Sequence, residues 1–179
     1  MIGQMLACKG LVSKCIMLGA CKPETNLLIG RMFSFLLKQK TRAMGNSLNY
    51  FPGINVFKEY YANTLSDWEI IMIYDEYIFP ENYETMKILR KNYNKLRQKI
   101  GTPCLYIGGD RDKLAPPKKM KRDFALYGNL HSMSSLRIMN NVSHMSFFLN
   151  QTARELSWII DKWLLEPGDF TPLLLHTLN

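Results

Sequence analysis

Two stretches decide the fold of this chain: GGDRDKLAPP (Gly108–Pro117) and NVSHMSFF (Asn141–Phe148). Each follows a short apolar run typical of a buried strand. These runs are CLYI (104–107) and LRIM (136–139). The first stretch contains Asp112 and the second His144. In an open parallel sheet, ligands and chemistry gather outside the carboxyl ends of the strands. The sequence therefore predicts that Asp112 and His144 meet in space.

Apolar runs alternate with amphipathic segments on both sides of these stretches. The pattern predicts a helix from Met1, then a strand at Cys15–Leu18, with further helices over 117–126 and 152–165. Strands separated by helices imply parallel neighbours joined by right-handed crossovers. We therefore predict an α/β fold with about three parallel strands, near Cys15, Leu105 and Ile138, flanked by helices.

The interval from residue 24 to 98 has a different pattern. Amphipathic segments around 27–37, from Phe57, and over 70–79 are interrupted by Gly45-Asn46-Ser47 and by Phe51-Pro52-Gly53. This pattern predicts a helical insertion between the first and second strands.

The order of these features resembles the α/β-hydrolase family. Gly109–Pro116 is similar to that family's G-x-x-D-x-(I/L)-x-P segment, and MIGQMLA (1–7) followed by VSKCIMLG (12–19) resembles the helix and strand that come after its nucleophile elbow. The elbow itself, Gly-x-Ser-x-Gly, does not occur in the sequence. The resemblance thus covers the family's C-terminal half, and the expectation is a truncated chain that begins shortly after the place of the serine.

The resemblance implies a division of the chain. Residues 1–23 and 99–166 form the hydrolase core, 24–98 form a helical cap, and 167–179 form a tail without a counterpart in the family. A partial α/β-hydrolase fold of this kind suits a chain of 179 residues.

The resemblance also implies the roles of the site residues. His144 is the general base and acid of a Ser-Asp-His triad, and Asp112 orients its imidazole, with Asp110 as the fallback acid. His131 and His176 lie in a polar loop and in the tail. The oxyanion hole is expected to be missing along with the nucleophile. The sequence has no cofactor-binding motif and no metal-ligand spacing, so neither a cofactor nor a metal is predicted.

Two functions follow. The first is hydrolysis of an ester, thioester or amide, with a small acyl substrate, by a chain that an N-terminal half must complete and that is inactive alone. The alternative is a nucleophile-less relative that acts as a binding or regulatory module. The coding sequence upstream of Met1 separates them, because an open frame with Gly-x-Ser-x-Gly supports truncation.

Composition sets the remaining expectations. The formal charge is +8, but the basic stretches 87–99 and 113–122 fit solvated helix faces better than a nucleic-acid surface. Four cysteines without a CxxC motif or metal-ligand spacing, together with the lack of a secretory signal, favour the cytoplasm, although a signal peptide could have been lost with an N-terminal half. No run is long enough for a membrane span. Self-association through an exposed edge of the Cys15–Leu18 strand is expected.

Overall fold

The computed structural model describes residues 2–20, 49–50, 52–79, 81–82, 100–128 and 131–166. The strands are β1 (Cys15–Leu18), β2 (Asn49–Tyr50), β3 (Glu81–Asn82), β4 (Cys104–Gly109) and β5 (Ser135–Met139). The helices are α1 (Ile2–Cys8), α2 (Ile54–Tyr60), α3 (Asp67–Tyr77), α4 (Pro117–Asp123) and α5 (Asn150–Leu165). A π-helical turn (Phe124–Gly128) follows α4, and a 3₁₀ turn (Ser146–Phe148) precedes α5.

The central sheet has three parallel strands in the order β1-β4-β5. Every residue of β4 is buried, as expected of a strand with neighbours on both edges and helices on both faces. Cys15 pairs with Cys104, and Leu105 pairs with Ser135. The prediction of three parallel strands with flanking helices is confirmed.

The side chains of β4 alternate between two apolar clusters, one on each face of the sheet. Cys104 and Tyr106 pack with residues of α1 and α4, including Ala7 and Met120. On the opposite face, the residues packed together come from β4, from β5 and the turns that follow it, and from α5. They are Leu105, Ile107, Met139, Val142, Phe147, Leu156, Ile159 and Trp163. Each large apolar side chain buried here contributes about 1.5–3 kcal/mol, so the two clusters fix the sheet between its helices.

A third apolar cluster joins α2 to α3. Its fully or nearly buried members are Phe57, Ala62, Ile70 and Ile73. Helix α3 begins with a capping box in which the Ser66 hydroxyl and the Glu69 carboxylate each bond the other residue's backbone N–H. This apolar cluster holds α2 against α3, and the capping box fixes the start of α3.

The sequence predicted only helices over residues 24–98, and the structure adds a short antiparallel pair. Strands β2 and β3 pair Asn49 with Asn82 and Tyr50 with Glu81, on either side of α2 and α3. A pair of two-residue strands is too short to produce an alternating pattern, which explains why the sequence did not reveal it. The division into core, cap and tail stays a prediction. The amphipathic segment at 27–37, the basic stretch 87–99 and the tail lie outside the described residues.

Several helix bounds differ from the prediction. Helix α2 begins at Ile54 and α3 spans Asp67–Tyr77, where amphipathic segments from Phe57 and over 70–79 were expected. Helix α4 ends at Asp123 and continues as the π-helical turn, where a helix to Leu126 was expected, and α5 begins two positions earlier than expected. No helix in the described part of the chain is long and apolar enough to cross a membrane.

Candidate active site

Asp112 lies in the loop that follows β4. Its backbone N–H donates to the carbonyl oxygen of Gly109, at 3.2 Å, which turns the chain back over the end of the strand. The residue is 2% exposed. Carboxylate oxygen Oδ1 accepts hydrogen bonds from the backbone N–H groups of Leu114, at 2.8 Å, and Ala115, at 2.7 Å. These bonds stabilise a buried carboxylate and fix its orientation.

His144 lies in the corresponding loop after β5. The chain reverses at Asn141, which has a positive φ of 56°, a conformation that Asn tolerates better than most residues. Nδ1 of His144 is 2.8 Å from Oδ2 of Asp112. The histidine side chain is 29% exposed, and its Nε2 has no hydrogen-bond partner within the described residues. The two residues that the sequence placed together are therefore in contact, while their catalytic role stays a prediction.

Asp110, the fallback acid, does not reach His144. Its Oδ1 accepts from the backbone N–H of Val142, at 3.2 Å, and its own N–H donates to the carbonyl of Met139, at 2.9 Å. Asp110 thus ties the end of β4 to the loop after β5. His131 accepts a hydrogen bond from the N–H of Met133, at 3.2 Å, within its own turn, and His176 is outside the described residues.

Gly109 allows the two loops to approach each other. A Cβ atom at this position would lie 2.0 Å from the carbonyl oxygen of Val142, far inside contact distance. In the sequence, Gly109 is the first residue of the segment that resembles the family's G-x-x-D-x-(I/L)-x-P motif, but that resemblance does not predict this close approach. Its signal is its place at the end of a buried strand, where glycine marks close backbone approach.

Gly19, just after β1, forms the third side of the site. It has a positive φ of 53°, and its N–H donates to the carbonyl of Ile107 at 2.8 Å. A Cβ atom here would lie 3.1 Å from Cε1 and Nδ1 of His144 and 3.3 Å from Oδ2 of Asp112. A side chain at Gly19 would therefore press on both members of the pair, and they would have to shift by a few tenths of an ångström.

The buried thiols lie at the opposite end of the sheet from this site. Cys15 and Cys104 are register partners in β1 and β4. The pKa of Cys104 is raised well above its ordinary range, mainly by the hydrogen bond with Cys15 and in addition by burial. The same hydrogen bond lowers the pKa of Cys15. Burial raises the pKa of Cys8.

Across the described ranges, no group of His, Cys, Asp and Glu side chains could hold a metal ion.

A parallel sheet between helices, with an Asp and a His meeting beyond the ends of adjacent strands, is the arrangement of part of an α/β-hydrolase fold. No family model and no curated protein sequence matches the chain. Solved structures do match. A methylesterase from Arabidopsis is 12% identical with a TM-score of 0.59, and the match covers 92% of this chain and 65% of that protein.

Two lipases give the same result. The monoacylglycerol lipase of Paleococcus ferrophilus is 15% identical (TM-score 0.60), with 90% of this chain and 63% of the lipase covered. A soluble variant of the monoglyceride lipase of Saccharomyces cerevisiae is 16% identical (TM-score 0.62), with 92% and 61% covered. Identities this low establish the fold alone. The chain has part of the α/β-hydrolase fold, and it spans less than two thirds of the length of these proteins.

Proposed function

We propose that Asp112 and His144 are the orienting aspartate and the proton-transferring histidine of a serine-hydrolase-type site that acts on an ester, thioester or amide. The observation that carries the proposal is the 2.8 Å hydrogen bond between His144 Nδ1 and Asp112 Oδ2. A buried carboxylate that holds one imidazole nitrogen, while the other nitrogen has no partner in the described structure, is the arrangement that triad catalysis requires. The fold, shared with esterases and lipases, supports the same chemistry.

The chemistry follows from these contacts. Asp112 keeps the proton of the neutral imidazole on Nδ1, so Nε2 is free to take a proton from a nucleophilic hydroxyl. The imidazolium that forms is stabilised by the carboxylate and returns the proton to the leaving group. Neither residue forms the covalent bond to the acyl group, because that step belongs to the nucleophile.

The proposal assigns the nucleophile and the oxyanion donors to an N-terminal half that is not among these 179 residues. Two serines near His144 are poor substitutes. Ser143 and Ser146 are 0% and 4% exposed, and their hydroxyls lie 3.0 Å apart. Alone, the chain is expected to be inactive. The compartment proposed for it is the cytoplasm, supported by Cys15 and Cys104, which form no disulfide. Its proposed partner is a small acyl substrate.

The test measures hydrolysis of an activated p-nitrophenyl ester, together with labelling by a fluorophosphonate probe, for the wild-type chain and for His144→Ala. We expect no difference between the two proteins and no labelled serine. Turnover that His144→Ala abolishes would show that a nucleophile lies within this chain, and the assignment to an N-terminal half would be wrong.

A second candidate is the nucleophile-less relative that binds a partner. The observation that favours it is the exposure of large apolar side chains on α3, where Trp68 is 72% and Ile71 is 47% exposed. Scattered apolar side chains also occur on ordinary surfaces, so the first candidate is preferred. A monodisperse, cooperatively unfolding monomer without any activity would favour the binding module.

A further inference from the structure

The loop between α2 and α3, residues 61–65, reaches both loops of the candidate site. We name it the bridging loop. The carbonyl of Tyr61 accepts a hydrogen bond from the N–H of Met145, at 2.8 Å, one residue beyond His144. The Asn63 side-chain amide donates to the carbonyl of Arg111, at 3.2 Å, one residue before Asp112. One short segment therefore bonds an immediate neighbour of each member of the Asp–His pair.

Thr64 adds a connection through hydroxyl groups. Its Oγ1 donates toward Ser143 Oγ, at 2.9 Å, and lies 3.2 Å from Ser146 Oγ. Ser146 Oγ in turn accepts from the N–H of Ser143, at 2.6 Å, and donates to the Ser143 carbonyl, at 3.0 Å. Both serines are buried. Removal of the Thr64 hydroxyl would therefore take a partner from a buried polar cluster within the turn that carries His144.

The bridging loop can act as a fixed support because its own position is determined by packing. Ala62 is 0% exposed in the apolar cluster of α2 and α3, and Met145 and Leu149 pack against the same cluster. The ring of Tyr61 meets the imidazole of His144 edge to face, with centroids 6.1 Å apart. Apolar packing and hydrogen bonds thus join the bridging loop to the turn around His144.

We propose that the bridging loop positions the Asp–His pair and that Thr64 is its central positioning residue. The inference rests on the proposed function, because only there does the geometry of this pair control proton transfer. Thr64 acts through Ser143 and Ser146 and makes no contact with the reacting atoms. The bridging loop thereby contributes to the site, because it holds the loops after β4 and β5 at the separation that the 2.8 Å contact between His144 and Asp112 requires.

The test uses Thr64→Val, which keeps the shape of the side chain and removes the hydroxyl. Nuclear magnetic resonance of the intact chain follows two protons: the His144 Nδ1–H that Asp112 binds, and the Met145 N–H that Tyr61 binds. We expect exchange of both with solvent to accelerate about fivefold or more, the effect of losing one net hydrogen bond. Thr64→Ser, which retains the hydroxyl, is expected to restore the wild-type rates.

The matched control is Thr102→Val. Thr102 is buried, and its hydroxyl bonds the carbonyls of Ala7 and Val12, both at 3.3 Å, away from the site. This change should lower the melting temperature and leave both exchange rates unchanged. If Thr64→Val does not fold, Asn63→Ala tests the bond to Arg111 in the same way.

The proposal is overturned if Thr64→Val leaves both protons unaffected, or if Thr102→Val accelerates them equally, since the effect would then be general destabilisation. Neither measurement depends on turnover. A failure of the proposed catalytic function would leave the exchange results intact, and a failure of positioning would leave the ester-hydrolysis test unchanged, so the two failures are distinguishable.

Discussion

At the scale of single residues, the two oxygens of the Asp112 carboxylate have separate functions. Oδ1 binds two backbone N–H groups of its own loop, and Oδ2 binds His144. The first set of bonds holds the carboxylate in place so that the second bond has a fixed direction. The sequence could predict this pair because both residues lie in short motifs at strand ends.

Asp112→Asn tests this division. The amide oxygen is expected to take the place of Oδ1, which turns the NH₂ group toward Nδ1 of His144 and moves the imidazole proton to Nε2. Nitrogen-15 resonance of the histidine ring reads the tautomer directly. Loss of the charge-assisted bonds should cost about 1.5–3 kcal/mol of unfolding free energy. Asp110→Asn is the control, and an unchanged tautomer in Asp112→Asn would contradict the account.

Gly19→Ala is expected to disturb the pair, and Gly10→Ala provides a matched comparison. Both glycines have a positive φ, 53° at Gly19 and 65° at Gly10. Each substitution by alanine should therefore lower the free energy of unfolding by about 1–2 kcal/mol through backbone strain. A Cβ at Gly10 meets nothing within 4 Å, whereas at Gly19 it presses on His144. Only Gly19→Ala should shift the Nδ1–H resonance. Equal shifts in both variants would show that backbone strain alone is responsible.

The supporting roles that the sequence did not reveal share one property. Gly19, Gly109 and Thr64 matter because distant segments approach them, over separations such as the 79 positions between Thr64 and Ser143. A pattern within one segment carries no information on such approaches, so the site's supporting residues could not be predicted.

At the scale of elements, continuous apolar runs predicted the strands of the sheet, and amphipathic spacing predicted the helices beside it. Strand β4 is the clearest case, because CLYI is apolar throughout and lies in the centre of the sheet. The π-helical turn after α4 and the β2–β3 pair were not foreseen. Neither has a distinct local pattern in the sequence.

Strand β1 provides the prediction at this scale. Within the described residues it pairs only with β4, and Ile16 is 37% exposed. An unpaired apolar edge favours association between copies. We expect sedimentation to detect self-association in the micromolar range and Ile16→Lys to reduce it.

Ile71→Lys is the control for this prediction. It places the same charge at an apolar residue of α3 that is 47% exposed, away from the sheet edge. A similar loss of association in both variants would point to general solubility and against the β1 edge.

At the scale of the whole molecule, Cys104 reports whether the sheet unfolds as one unit. Its side chain is 0% exposed, and its raised pKa leaves less thiolate for alkylation at any given pH. Modification at pH 8 should begin only at the denaturant concentration where circular dichroism shows unfolding. Raising the pH to 9 should accelerate alkylation of the denatured thiol and leave the native one protected. Fast alkylation of native Cys104 would contradict the described packing.

The central claim is that Asp112 and His144 are the aspartate and the histidine of a hydrolase site whose nucleophile comes from elsewhere. The most direct measurement joins this chain to the N-terminal half of an α/β-hydrolase, so that a Gly-x-Ser-x-Gly elbow precedes α1. Circular dichroism first establishes that the chimera unfolds cooperatively. Its hydrolysis of a p-nitrophenyl ester is then compared with that of His144→Ala and of a variant without the elbow serine. We predict turnover in the chimera and a loss of about 10³-fold or more in each variant. A folded chimera whose turnover persists without His144, or that shows none, would contradict the claim.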